Sequence, residues 1–329
     1  MVDPATVKGR VNILSIDGGG IRGIIPAVIL SKLEECLGKP LAAIFHLIVG
    51  TSTGGIIAAA VGSSANGGKP YRPKDLVNLY VKNGPAIFNL DFVHRIEEFV
   101  RPKYSPEPLE KVLLQYFGDT DLKSAQTNLL ISSYDIEHQI PFFFKSEKAQ
   151  HKDAYNWKLR DVTRATSAAP TYFPPTRIDN GHGAYTLVDG GVCVNNPCMA
   201  AFAEAKRLFK NAADFLMVSV GTGDRNDCLH YNSVRNWGMI QWAEEIVPVF
   251  MDSVSESSDY EMHYILGPGK SFRFQPRLKP GNSSMDCVTP ANLAALQKIP
   301  ADYLKKTKAD AFDKRSPKQK FTDVCALLS

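Results

Sequence analysis

Ile44-Phe45-His46-Leu47-Ile48-Val49-Gly50-Thr51-Ser52-Thr53-Gly54-Gly55-Ile56-Ile57-Ala58-Ala59-Ala60-Val61 is the stretch of this 329-residue chain that decides its fold. A largely apolar run ends at Gly50 and a second one follows Gly55. The first has the length of a buried strand, and the second reads as the start of a buried helix. Between them, Gly50-Thr51-Ser52-Thr53-Gly54 fits the G-x-S-x-G pattern of a nucleophile elbow. Small residues let the backbone turn sharply from strand to helix, which pushes the serine hydroxyl out of the sheet. The helix N-terminus beneath it favours negative charge. Gly/Ser/Thr turns are common, so pattern and context alone leave a catalytic Ser52 and a purely structural one evenly balanced.

A second cluster, Asp17-Gly18-Gly19-Gly20-Ile21-Arg22-Gly23, follows a short apolar strand, Val11 to Ile16, and opens a helical stretch from Ile25 to Leu37. Gly18, Gly20 and Gly23 fit G-x-G-x-x-G, but a dinucleotide site wants an acidic residue about 20 positions on, at the end of a second strand. The span from Leu37 to Val49 contains no Asp or Glu and ends in the Ser52 turn instead. An oxyanion hole fits better, because successive glycines can aim backbone N–H groups at a developing negative oxygen. A ligand-free tight turn is the plainer alternative. Far downstream stands Leu187-Val188-Asp189-Gly190-Gly191-Val192-Cys193-Val194-Asn195-Asn196-Pro197. Asp-Gly-Gly by itself marks a turn. After the strand-like run Ala184 to Val188 it also suits a carboxylate at a strand end, with Asn195 and Asn196 holding the loop through side-chain to backbone bonds.

In this order the blocks resemble those of the patatin-like phospholipases, the lipid acyl hydrolase family related to the catalytic domain of cytosolic phospholipase A2. Asp17 to Gly23 is similar to that family's oxyanion segment, Gly50 to Gly54 to its nucleophile elbow and Asp189-Gly190-Gly191 to its catalytic aspartate motif. Ala165-Thr166-Ser167-Ala168-Ala169-Pro170-Thr171-Tyr172-Phe173-Pro174-Pro175 resembles a segment that often precedes the aspartate. The matching blocks cover roughly residues 11 to 225. The resemblance implies a Ser-Asp dyad of Ser52 and Asp189, an oxyanion hole from the N–H groups of Gly18, Gly19 and Gly20, and no cofactor or metal. The alternative is a Ser-His-Asp triad; the histidines after the aspartate are His230 and His263, neither in a distinctive setting. In the dyad, Asp189 must be partly desolvated, since a carboxylate near its reference pKa of about 4 is a weak base. An apolar acyl channel should lead to Ser52. Arg22 suits either a substrate phosphate or a salt bridge on the first helix.

Strand-like runs at Val11–Ile16, Ile44–Val49, Asn128–Tyr134, Ile140–Phe144, Ala184–Val188 and Phe215–Val220 are separated in many places by helical stretches. That alternation predicts an α/β fold, a three-layer α/β/α arrangement around a central mixed, mostly parallel sheet. We expect one catalytic domain over residues 1–329, with a mainly helical part from about 230 to 329 packed on it. Leu216 to Gly223 is a further strand-and-turn candidate near the site. Six scattered cysteines without a C-x-x-C read as free thiols in a reducing compartment, and Cys193 and Cys198 make a poor zinc pair. The N-terminus lacks a signal-peptide pattern and no apolar run approaches a membrane span, so the expected location is cytoplasmic, with transient peripheral membrane association.

A net charge of +4 is too mild to imply a nucleic acid polymer as partner and permits loose attraction to an anionic membrane. Phe88, Phe92, Ile96, Phe99 and Val100 recur at helical spacing within Phe88 to Lys103, which suits a core-packed helix or an interfacial lid. Lys305 to Lys320, interspersed with Asp302, Asp310 and Asp313, reads as a solvated face. Three functional classes follow. The first is a phospholipase A type hydrolase acting on phospholipid or other acyl lipid. The second is the same enzyme gated by a cyclic dinucleotide, as in bacterial antiviral effectors of the family, with Arg95, Arg101 and Lys103 read either as contacts for it or, more simply, as ordinary surface charge. The third is a storage or binding protein with incidental esterase activity.

Overall fold

The computed structural model describes residues 3–89, 101–225, 228–279, 281–309 and 313–329. Its centre is a mixed sheet of strands β1 (Arg10–Ile16), β2 (Leu47–Thr51), β3 (Asn128–Asp135), β4 (Ile140–Lys145), β5 (Thr176–Asp179), β6 (Ala184–Asp189), β7 (Asp214–Val220) and β8 (Ser271–Phe274). They pair in the order β5-β6-β3-β2-β1-β7-β8, with β4 also on β3. The run from β3 through β2, β1 and β7 to β8 is parallel, while β4, β5 and β6 pair antiparallel.

Parallel strands buried on both faces should be apolar throughout, with alternate residues in different cores. Val11, Ile13, Leu47, Val49, Phe215 and Met217 enter one core, and Leu14, Ile16, Ile48, Leu216, Val218 and Val220 enter the other. The longer helices are α1 (Ile24–Leu37), α2 (Thr53–Gly62), α3 (Pro73–Ile87), α4 (Glu107–Phe117), α5 (Leu159–Thr166), α6 (Cys198–Leu208), α7 (Met239–Leu266), α8 (Pro290–Tyr303) and α9 (Pro317–Leu328). Ile24 to Leu33 of α1, the apolar body of α2 and Leu76 and Leu79 of α3 pack in one core. Ala201 and Ala205 of α6 and Met262 of α7 pack in the other. The result is a three-layer α/β/α fold.

Five of the six strand-like runs lie within strands. The sixth starts late: Leu41–Ile44 winds into a helical turn, so β2 begins at Leu47 and runs on to Thr51. Neither β5 nor β8 was expected. The C-terminal part therefore supplies more than helices, because β8 extends the sheet beside β7. The Lys-rich segment is no solvated face throughout: Lys320 is 2% exposed and donates to the Arg273 carbonyl at 2.9 Å. Asp310 lies outside the described residues.

The reading of all six cysteines as free thiols is corrected. Cys36 at the end of α1 and Cys325 in α9 form a disulfide across 289 positions of sequence, with their Cα atoms 6.4 Å apart. Packing of α9 on α1 brings them together, and nothing in their spacing announces it. Cys193, Cys198, Cys228 and Cys287 are free. A cross-link that closes so long a loop restricts the unfolded chain and typically contributes about 2–4 kcal/mol. We expect Cys36→Ser to lower the urea midpoint accordingly, and reductant to bring wild type down to the same value; an unchanged midpoint in both would show that the bridge is not formed.

Candidate active site

The register of β3 brings the two ends of the site together. Thr51, the last residue of β2, pairs with Ser132, and Asp189, the last residue of β6, pairs with Ser133. β4 occupies the other edge of β3 at both positions. β2 and β6 therefore run towards each other along one edge, and neither can continue. At Ser52 the chain turns with φ 54° and ψ −125° and enters α2 at Thr53. A non-glycine residue in that region costs roughly 1–3 kcal/mol and persists only when its surroundings enforce it. Here they do. The Ser52 N–H donates to Thr166 Oγ1 at 2.8 Å, and that hydroxyl donates to the Ser132 carbonyl at 2.6 Å. A side chain at Gly50 would run into the Gly54 carbonyl, and one at Gly54 into the Ile16 carbonyl. Thr166 belongs to the Ala165–Pro175 segment, which explains the segment's place beside the elbow.

Asp189 is 2% exposed and takes the Gly191 N–H on Oδ1 at 2.7 Å. Burial pushes its pKa up to about 7, offset in part by the nearby Ser52 hydroxyl and by the Gly191 N–H, while its Oδ2 has no hydrogen-bond partner among the described residues. Among the described residues no histidine lines the cavity onto which Ser52 and Asp189 open. His230 is exposed ahead of a short helical turn, and His263 sits on α7 with its ring 5.4 Å from that of Tyr264. That cavity is walled largely by apolar side chains: Ile56 of α2, Leu79 and Ile87 of α3, and Leu109, Val112 and Leu113 of α4. Phe88 joins them and packs on Tyr104 and Phe173. The rest of the lid candidate, Phe92, Ile96, Phe99 and Val100, lies outside the described residues, as does Arg95. Lys103 is paired with Asp286 at 2.6 Å.

Gly19 and Gly20 line the cavity beside Ser52. Gly18 does not, which corrects its expected role: its N–H donates to the Asn195 carbonyl at 3.1 Å and is spoken for. The loop is locked from behind. Asp17 makes a two-pronged, buried ion pair with Arg273 of β8, at 2.9 and 2.6 Å, and Thr222 Oγ1, in the turn after β7, donates to the Gly18 carbonyl at 2.7 Å. Burial opposes the charge on Arg273, but Asp17 outweighs it and holds the guanidinium pKa above its ordinary value. Arg273 gave no sign of this role in the sequence, since β8 was not foreseen.

Arg22 is corrected as well. It is buried and lines a second, small polar cavity with Asp17, Asp224, Asp252 and Glu256. Burial lowers its pKa, with Asp252 the main opposing influence. Carboxylates around it make this a poor place for a phosphate. It also forms no salt bridge among the described residues, and its Nη1 is left without a partner. Among the described residues no group of three or more His, Cys, Asp or Glu side chains is placed to hold a metal ion. No helix among them is long and apolar enough to cross a membrane.

Asp189 has a direct thermodynamic signature. Its folded pKa lies above its unfolded value of about 4, so the stability it allows is complete below pH 4 and is lost as pH rises through about 7. We expect Asp189→Asn to be more stable than wild type at pH 8, by up to about 4 kcal/mol, and nearly equal to it at pH 4. Parallel melting curves at the two pH values check this; a variant no more stable at pH 8 would mean the carboxylate is not desolvated.

A family model described as patatin-like phospholipase matches residues 14–202. Patatin-like protein 3 of Arabidopsis thaliana is 34% identical over 92% of this chain and 82% of its own length. Patatin-03 of Solanum tuberosum is 32% identical over 92% of this chain and 86% of its own. A second Solanum tuberosum protein, named "Probable inactive patatin-3-Kuras 1", is 31% identical over 92% and 88%.

Proposed function

The chain belongs to the patatin-like phospholipase family, whose general activity is lipid acyl hydrolysis, and we propose that it cleaves fatty acyl esters of phospholipids through Ser52 and Asp189. The observation that carries this reading is a desolvated carboxylate near a serine hydroxyl at the wall of an apolar cavity. Membership alone would not suffice, since one relative's name marks it as inactive.

Asp189 accepts the Ser52 proton as Oγ attacks the ester carbonyl. A pKa of about 7 suits a base working near neutral pH. The carbonyl electrons move onto oxygen, facing the amides of Gly19 and Gly20; a single donor of this kind is typically worth about 100- to 1000-fold in rate. Collapse breaks the bond to the lysophospholipid alcohol, which leaves with the proton held by Asp189. The acyl chain stays on Ser52 with its tail in the cavity, and the cavity's apolar walls exclude competing water from the tail. Phospholipid is met at a membrane surface, so we place the protein there peripherally during turnover. The chemistry asks for no cofactor.

Ser52→Ala and Asp189→Asn should each lower hydrolysis of nitrophenyl fatty esters by about 1000-fold or more, while His230→Ala and His263→Ala stay near wild type. The kcat/KM of wild type should rise with pH through about 7, as Asp189 becomes ionised. Mass spectrometry of a treated lipid extract should show lysophospholipid and free fatty acid. Full activity in Ser52→Ala, or dependence on either histidine, would defeat the reading.

A further inference from the structure

Asn195 carries a side-chain oxygen that the fold leaves without a donor. The residue is 5% exposed. Its amide is oriented from the nitrogen side: Nδ2 donates to Ser255 Oγ at 2.9 Å and more loosely to the Met251 carbonyl at 3.5 Å, both on α7. Oδ1 is thereby turned the other way, and no donor among the described residues reaches it. A buried acceptor left unsatisfied costs about 1–3 kcal/mol, so a hydrogen-bond donor belongs against it.

The surroundings identify that group. A side chain at Gly18 would collide with Asn195 Oδ1 and stand 3.2 Å from the Ser52 Cβ. A Cβ at Gly191 would lie 3.1 Å from Asp189 Oδ1 and 3.3 Å from Asn195 Oδ1. Two glycines thus let the backbone pack closely where Ser52, Asp189 and Asn195 meet, and Asn195 itself borders the second, polar cavity beside Ser255. The bond from the Gly18 N–H to the Asn195 carbonyl fixes this junction in place.

We propose that Asn195 Oδ1 holds the water that hydrolyses the acyl-enzyme, bridging it to Asp189. This rests on the Ser52–Asp189 reading above. The water donates one hydrogen to Asn195 and the other to Asp189. Its oxygen attacks the acyl carbonyl carbon, the proton passes to Asp189 and the carbonyl electron pair moves onto oxygen. Collapse re-forms the carbonyl and breaks the bond to Ser52 Oγ. Asp189 returns the proton to Oγ, and the fatty acid departs. An alcohol has a single O–H and can satisfy Asp189 but not Asn195 at the same moment, so Asn195 selects water over alcohols.

The test is a partition experiment. Wild type, Asn195→Ala and Ser255→Ala are given a nitrophenyl fatty ester in buffer containing methanol, and the ratio of methyl ester to free acid is read by mass spectrometry. The ratio is set after acylation and does not depend on how much of the protein is folded. We expect it to rise about tenfold in Asn195→Ala, the worth of one hydrogen bond, with the acyl group accumulating on Ser52 in the intact-mass spectrum. Ser255→Ala, which frees the amide to rotate, should shift the ratio the same way by less, and it carries the test if Asn195→Ala does not fold. A wild-type ratio in the variants that fold, with acylation and deacylation slowed alike, would reduce Asn195 to a structural role and overturn the proposal. Failure of the underlying reading is separate: no acyl group would appear on Ser52 in any protein.

Discussion

Two strands meeting head-on along one edge of β3 are the constraint from which the site follows. β2 arrives from one end and β6 from the other, and they stop at adjacent positions, opposite Ser132 and Ser133. The chain has to leave the sheet at both places. That is why a serine sits in a backbone conformation serines rarely adopt, and why an acid from a distant part of the chain stands next to it. The same crowding that joins them removes water from the carboxylate and raises its proton affinity. Strain at Ser52 and desolvation at Asp189 both oppose folding, and the two cores on either side of the sheet supply the stability that tolerates them.

The glycine loop depends on a second constraint, from the opposite edge of the parallel run. Arg273 reaches from β8 to Asp17 at the end of β1, where both charges are buried. Breaking one partner of such a pair leaves an uncompensated charge, so the pair ties the loop's geometry to the correct docking of β8. The loop's amides then divide their work. The Gly18 N–H is taken by the Asn195 carbonyl, while Gly19 and Gly20 line the cavity. Arg22 follows the turn to the far side, into its own polar cavity.

What could be read in advance depended on whether the signal was local. Ser52 was legible because an apolar run, small turn residues and a second apolar run are contiguous, and β1, β3 and β7 were legible for the same reason. β5 and β8 were not: each is four residues long, and β8 alternates Phe272 and Phe274 with an arginine whose purpose is a carboxylate at the other end of the sequence. Asp189 drew attention only in company with the glycine blocks and Ser52. The misplacement of Gly18 and Arg22 has one cause. A row of glycines shows that backbone amides are accessible, but which way each one points is set by Asn195, Thr222 and Arg273, none of them near in sequence. The cysteine pairing was hidden likewise, because spacing carries no information about which helices will lie side by side.

The bridge between α1 and α9 has a consequence of its own. It makes the polypeptide from Cys36 to Cys325 a covalent ring. A protease that cuts once anywhere inside the ring opens it without releasing a fragment, so the two pieces stay joined and can keep their partners in the sheet. Under non-denaturing or unreduced conditions a nicked molecule would pass for an intact one, and only reduction would reveal that it had been cleaved.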